Sequence, residues 1–357
     1  MTTIRLENIG HAYDGSTPVE EWALKPMDLE FKSGATYAMV GPSGCGKTTM
    51  LNIISGLVTP HQGRVRFNEQ DMTDLKTEKR NVAQVFQFPA IYRSMNVFDN
   101  IAFPLVCRGV KGPVVKQRVH AVAELLGISD KLNRAAYRLG MDEKQLVSLG
   151  RGLVRDDVSV LLMDEPLTVI DPHLKLVLRK RIKQANDEFG STIIYVTHDQ
   201  YEAMAFADEL LVMKDGMLSQ AGTPEALFEK PADTYVGYFI GSPPMNFLDG
   251  ELVDGHVVIE GERFETGSNV SGLADGPVKL GVRPEYVGIA EDANSGIAMT
   301  IDRVEDHGNI RVVFGRFGKQ PISVKLARRI DIAREGTIRV QWPAEKGLVY
   351  VDGKLVD

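Results

Sequence analysis

Apolar residues along this chain fall in short blocks whose period switches between two and about 3.6. Thr3 to Asn8 alternates apolar and polar positions like an edge strand, and Arg64 to Asn68 and Asn81 to Val85 repeat the pattern. Thr36-Tyr37-Ala38-Met39-Val40 is a short apolar run, the mark of a strand buried on both faces. After it Met50, Leu51, Ile53, Ile54 and Leu57 recur at helical spacing, with Gly56 placed to end the helix. From about Ser94 to Arg155 the period stays helical. Val97, Ile101, Ala102 and Leu105 form one face, and Val115, Val119, Val122, Leu125 and Leu126 form another before Gly127. Two more apolar runs end in polar residues: Val158 to Met163 runs into Asp164-Glu165, and Thr192 to Val196 into Thr197-His198-Asp199. From about Pro243 the chain turns to short alternating strands, such as Val278 to Val282 and Thr337 to Trp342. Asp254-Gly255, Asp275-Gly276 and Asp352-Gly353 mark its turns. The pattern predicts an α/β domain over residues 1–240 with a helical subdomain at about 88–155. A small all-β barrel, oligonucleotide-binding-like in shape, follows over 241–357.

The strongest chemical signal lies between the first buried strand and the first helix. Gly41-Pro42-Ser43-Gly44-Cys45-Gly46-Lys47-Thr48-Thr49 matches G-x-x-x-x-G-K-[ST], the P-loop. Glycines 41, 44 and 46 let the backbone turn tightly and bring its N–H groups to a chain of phosphates. Lys47 supplies a point charge, and the Thr48 hydroxyl suits a Mg²⁺ ligand. A helix starting after Gly46 directs its positive end at the same anion. The fold class predicted for the first domain is therefore a P-loop nucleoside triphosphatase, with ATP and Mg²⁺ as its ligands.

Other residues acquire candidate roles from this loop. Tyr13, in a turn-like His-Ala-Tyr-Asp-Gly segment, is an aromatic able to stack on adenine. Gln87 leaves a predicted strand and can reach Mg²⁺ or water. Asp164 is placed to hold Mg²⁺, and Glu165 to orient or deprotonate the attacking water. His198 ends a parallel run and can reach the γ-phosphate or the water.

Composition narrows the class. There are 41 Lys and Arg against 48 Asp and Glu, a net charge of −7, which argues against a nucleic-acid surface. No apolar run reaches the ~18 residues needed to span a bilayer, and the N-terminus does not read as a signal peptide. With only two cysteines, Cys45 and Cys107, one of them in the P-loop, a reducing cytosol is the expected setting. Any membrane association then comes through a partner.

Taken together, these segments resemble the ATP-binding subunit of ABC transporters. Tyr13 stands as its adenine-stacking aromatic, 41–49 as Walker A, Gln87 as the Q-loop, 160–165 as Walker B with its Glu, Asp171 as the D-loop and His198 as the switch histidine. Gly222-Thr223-Pro224-Glu225, Pro231-Ala232, Phe239 to Phe247 and Gly281-Val282-Arg283-Pro284-Glu285 resemble importer subunits of the maltose and glycerol-phosphate type. The resemblance covers nearly the whole chain. It implies a TOBE-like C-terminal domain with dimerisation and regulatory roles, and ATP hydrolysis that powers import of a sugar, polyol, glycerol or glycerol phosphate. It also implies membrane permease subunits gripped by the region after Gln87, an external solute-binding protein as indirect partner, and a peripheral place on the cytoplasmic face of the bacterial inner membrane.

One departure from the family pattern has consequences. Aligning back from Gly150 to Arg155 places the signature L-S-G-G-Q at Leu139-Gly140-Met141-Asp142-Glu143, where only Leu139 survives. In the family this motif closes over the γ-phosphate held by the opposite subunit. Gly140 lacks the hydroxyl, Met141 adds bulk and Asp142 brings negative charge toward a phosphate. Asp142 and Gln145 have capping-box spacing, which predicts that the helix N-terminus is satisfied internally by Asp142. The expected assembly is a heterodimer in which a second ATPase subunit supplies an intact signature. The alternative is a weakly hydrolysing, nucleotide-holding half.

Overall fold

The computed structural model describes residues 2–14, 18–290, 292 and 295–356, with the side chains of 185 and 187–189 left aside. The chain divides into two compact units, Met1–Pro224 and Glu225–Asp357. The pattern change in the sequence falls at residue 240; the short helices Pro224–Glu229 and Thr234–Phe239 lie largely in the second unit.

The first unit carries two sheets. Strands β1 (Ile4–His11), β2 (Leu24–Phe31), β4 (Gln62–Phe67) and β5 (Gln70–Asp71) form an antiparallel sheet in the order β2-β1-β4-β5. The larger sheet contains β3 (Thr36–Val40), β6 (Val82–Val85), β7 (Val160–Asp164), β8 (Ile193–Val196), β9 (Glu209–Lys214) and β10 (Met217–Gly222), in the order β10-β9-β3-β8-β7-β6. Five of its strands run parallel, and β10 folds back antiparallel on β9. All five residues of β3 and of β7 are buried. Their near-continuous apolar sequence is what a parallel strand covered on both faces requires.

Helix α1 (Lys47–Ser55) follows β3 and packs Met50, Leu51, Ile53 and Ile54 into the core shared by the two sheets. Gly56 ends it at φ 79°. Arg80, only 1% exposed, clamps that end: Nη1 donates to Ile53 O and Ile54 O, Nε to Leu75 O and Nη2 to Thr73 O. Four carbonyls satisfy one buried guanidinium, which is how a charge is tolerated inside.

The helical segment consists of α2 (Val97–Val106), α3 (Gly112–Leu126) and α4 (Met141–Leu153). The predicted apolar faces are largely the packed ones: Val97, Ile101, Ala102 and Leu105 are buried, as are Val115, Val119 and Leu126, while Val122 and Leu125 are half-buried. Helices α5 (Pro172–Phe189) and α6 (Gln200–Phe206) follow β7 and β8.

The second unit is all-β apart from its short helices. Two antiparallel sheets share one core that includes Leu248, Leu280, Val282, Met299, Val313, Val324 and Val340. Asp254-Gly255 and Asp352-Gly353 are tight hairpin turns with φ of 49°, 76°, 49° and 75°. Both residues being left-handed is the type I′ geometry that favours Asp-Gly. Asp275-Gly276 is not a turn, contrary to expectation: Gly276 opens the strand Gly276–Val282 and pairs with Leu252. The dipeptide follows a loop, and neither residue needs the left-handed backbone.

Candidate active site

The site gathers at the carboxyl ends of β3, β6, β7 and β8. The loop from Gly41 to Gly46 has φ of 152°, 82° and 100° at its three glycines. A Cβ at Gly41 would stand 2.3 Å from Met213 O, and one at Gly46 2.4 Å from Ala23 O, so the backbone has room only for glycine. At Gly44 nothing lies within 4 Å. Gly46 caps α1 with no side-chain bond, so the first N–H groups of the helix are directed at the space inside the loop. This is a cradle for an anion. Pro42, Ser43 and Gly44 are exposed, whereas Cys45 and Lys47 are buried. Lys47 Nζ donates to Gly41 O at 2.8 Å and Pro42 O at 2.9 Å, and lies 3.5 Å from Cys45 Sγ. The ammonium is thus folded over the mouth of its own loop.

Thr48 Oγ1 donates to Asp164 Oδ1 at 3.3 Å. Burial raises the Asp164 carboxyl above the ordinary range, the Thr48 hydroxyl opposes that rise, the Glu165 carboxylate adds to it and Lys47 opposes it. A buried carboxylate, a threonine hydroxyl and the Gln87 amide are hard oxygen donors, the kind Mg²⁺ selects. Gln87 Nε2 donates to Glu165 Oε2 at 3.0 Å, His198 Nδ1 lies 3.3 Å from the same oxygen, and Thr168 Oγ1 donates to it at 3.4 Å. Glu165 sits at φ 46°. A non-glycine residue held there costs on the order of 1–3 kcal/mol, and the bend turns its carboxylate out of the end of β7. The His198 side chain is 64% exposed.

Tyr13 is 69% exposed, and its hydroxyl shares a hydrogen bond of 3.0 Å with Thr49 Oγ1. His11 packs edge-on to the Tyr13 ring and meets His61 with the two Nδ1 atoms 3.2 Å apart. The ring is therefore braced at the loop's own threonine with much of its surface open. Asp171 caps α5, accepting from the N–H of His173 and of Leu174.

The signature segment corrects one expectation. Asp142 does not cap α4. The cap is Gly140, whose N–H donates to Glu143 Oε2 at 3.0 Å. Glu143 also holds Lys131 Nζ at 2.8 Å and Arg134 Nη1 at 3.7 Å. The Lys131 hydrogen bond, then the Gly140 N–H, keeps its carboxyl below the ordinary range. Gln145 lies inside the helix, 0% exposed, and faces the core. The spacing Asp142–Gln145 mimics a capping box, but the Gly140–Glu143 pair caps the helix two residues earlier, with Glu143 held by its ion pairs. Met141 is 54% exposed and Asp142 is exposed.

A P-loop on a mostly parallel sheet, with a carboxylate pair, a glutamine and a histidine at its edge, defines an ATP-binding cassette of the ATPase class. A family model described as ABC transporter matches residues 24–168, and one described as MalK OB fold domain matches 241–287. Curated relatives match from end to end. The sn-glycerol-3-phosphate import ATP-binding protein UgpC of Escherichia coli strain K12 is 36% identical over 362 residues, covering 99% of each chain. Its counterpart in Escherichia coli O157:H7 is 34% identical over the same span. Among solved structures, the ADP- and phosphate-bound dimer of an ATP-binding cassette matches with TM-score 0.56 at 26% identity, covering 62% of this chain and 98% of that one. The chain belongs to the ABC transporter ATP-binding family.

Proposed function

We propose that this chain hydrolyses ATP to drive import of a small solute of the glycerol phosphate, polyol or sugar type. The carrying observation is the full-length similarity to sn-glycerol-3-phosphate import ATP-binding proteins. The loop 41–49 wraps the phosphates, Lys47 turns from its own carbonyls to the β- and γ-phosphates, and Tyr13 stacks the adenine. Thr48, Gln87 and Asp164 would hold Mg²⁺, which neutralises charge developing on the phosphate oxygens. Glu165, oriented by Gln87 and His198, takes the proton of the attacking water.

The partners follow from the same reading. Permease subunits dock on the segment after β6, where Phe88 is 72% exposed and Phe86 and Tyr92 stand near it in sequence, also exposed. No helix among the described residues is long and apolar enough to cross a membrane. The chain accordingly works as a peripheral subunit on the cytoplasmic face of the inner membrane, fed indirectly by a solute-binding protein. Its ATPase partner is a second chain with an intact signature. What supports this is the exposed Asp142 and Met141 at the start of α4, which suit a neighbour's γ-phosphate poorly. The same residues favour the second reading, a nucleotide-holding half with little turnover.

The test is ATPase activity of the purified membrane complex with Glu165→Gln in this chain alone. A loss of about 100- to 10,000-fold with ATP affinity kept is expected for removal of a general base. Retained activity moves hydrolysis elsewhere and selects the second reading. A native complex containing this chain as its sole ATPase subunit overturns the heterodimer.

A further inference from the structure

Gln145 is fully buried on α4, and none of the roles above uses it. Its side-chain nitrogen donates to Phe86 O at 2.9 Å and to Pro166 O at 3.0 Å. Those carbonyls belong to the residue before Gln87 and the residue after Glu165, the two side chains that meet at 3.0 Å. One carboxamide thus pins both backbone segments. Its Oε1 has no partner among the described residues. An unpaired buried oxygen carries a desolvation cost, so the group is suited to its two donated bonds more than to filling space.

Helix α4 is seated so that it transmits displacement. A Cβ at Gly152 would lie 2.9 Å from Val85 Cγ2 and 3.2 Å from Leu161 Cδ1, and one at Gly150 would lie 3.2 Å from Ile101 Cδ1. At Gly152 the helix backbone therefore lies directly on the side chains of β6 and β7, and at Gly150 on that of Ile101 in α2. The first turn of α4 begins with the exposed residues 140–142, and Gln145 lies three residues further on.

We propose that Gln145 is a positioning residue that couples the first turn of α4 to the placement of Gln87 and Glu165. Whatever contacts residues 139–143 is then reported to the hydrolytic groups of this same chain. The inference rests on the ATP-hydrolysing reading above.

The experiment measures ATP affinity and turnover of the full chain in its transport complex for Gln145→Leu and Gln145→Glu. For Gln145→Leu the expected result is turnover lower by about 10- to 100-fold, from loss of two hydrogen bonds, with ATP Kd within about twofold of wild type. Gln145→Glu keeps the shape but sets carboxylate oxygens against two carbonyls. Its activity relative to wild type should recover as the pH falls, when the buried carboxyl regains a proton and can donate. Turnover and ATP affinity falling in parallel, or a Gln145→Glu pH profile that tracks wild type, overturns the proposal. Where Gln145→Leu does not fold, the Gln145→Glu profile decides alone. Glu165→Gln in the same preparation separates the two readings. Turnover surviving that change sinks the hydrolytic reading. Turnover lost there but kept in Gln145→Leu sinks only the coupling.

Discussion

Rebuilding the signature segment should raise the turnover of the site this chain closes. The variant is Gly140→Ser, Met141→Gly and Asp142→Gly together, with Glu143 left in place because it holds Lys131, Arg134 and the Gly140 N–H. The three changes are coupled by geometry. A Cβ at position 140 would stand 2.7 Å from Asp142 Oδ1, so a serine there displaces the exposed aspartate side chain, whose charge stays beside the new hydroxyl. A carboxylate ~4 Å from a phosphate charge costs about 1 kcal/mol at the dielectric of water and about 4 kcal/mol at an effective value near 20. The exposure of Asp142 favours the lower figure in the open protein. A hydroxyl donating to an anion contributes about 1.5–3 kcal/mol. The lower bounds together give about 2.5 kcal/mol, or ~70-fold in rate. The assay is steady-state ATPase of the assembled complex, with Gly140→Ser and Asp142→Gly alone as controls. Gly140→Ser alone should gain nothing. A triple variant that binds ATP normally and stays within twofold of wild type would refute the assignment of 139–143 to a neighbour's phosphate.

Three further outcomes follow from the packing. Tyr13→Ala should weaken ATP binding by about 1–3 kcal/mol, the usual worth of an aromatic–base stack, while Tyr13→Phe loses only the Thr49 hydrogen bond; fluorescent-nucleotide titration separates them. Arg80→Leu should destabilise the first unit by about 3–5 kcal/mol in urea unfolding, because two carbonyls at the end of α1 and those of Thr73 and Leu75 lose their buried charged donor. In the second unit, burial pushes the Glu229 carboxyl up, but hydrogen bonds from Lys346 and Tyr286 prevail and hold it below the ordinary range. A depressed carboxylate contributes stability above its unfolded pKa and loses it as the pH falls through the folded one. The stability gap between wild type and Glu229→Gln should therefore be present at pH 7 and close below about pH 4, as read by urea unfolding at each pH.

Much of the candidate site was legible because its parts are local. A P-loop needs consecutive residues of set type, and buried parallel strands advertise themselves as apolar runs ending in their functional side chains. Strand β2 and the hairpin β9–β10 escaped notice. Both carried a signal: Met27-Asp28-Leu29-Glu30-Phe31 alternates apolar and polar residues in step with its burial, and Asp215-Gly216, with φ of 48° and 77°, carries the I′ turn signal between the two hairpin strands. The error over Asp142 has a different source. Capping-box spacing is shared by Gly140–Glu143 and Asp142–Gln145, and the ion pairs with Lys131 and Arg134, set by the loop before α4, decide between them.

The sequence by itself determined the phosphate cradle, the buried strands β3, β7 and β8 and the helical segment, since each is written in contiguous residues or in a repeating period. Only the tertiary structure decided that Gln87, Thr168 and His198 converge on one oxygen of Glu165, and that Thr48 faces Asp164. It alone decided that Arg80 closes the far end of α1 and that Gln145 faces inward to two carbonyls. Polar residues at such points carry no periodic signature. Apart from Thr168 and two of the carbonyls bound by Arg80, their partners lie 21 to 116 positions away in the chain, and the packing of β3, β6, β7 and β8 with the helices that follow them brings those positions within hydrogen-bond reach.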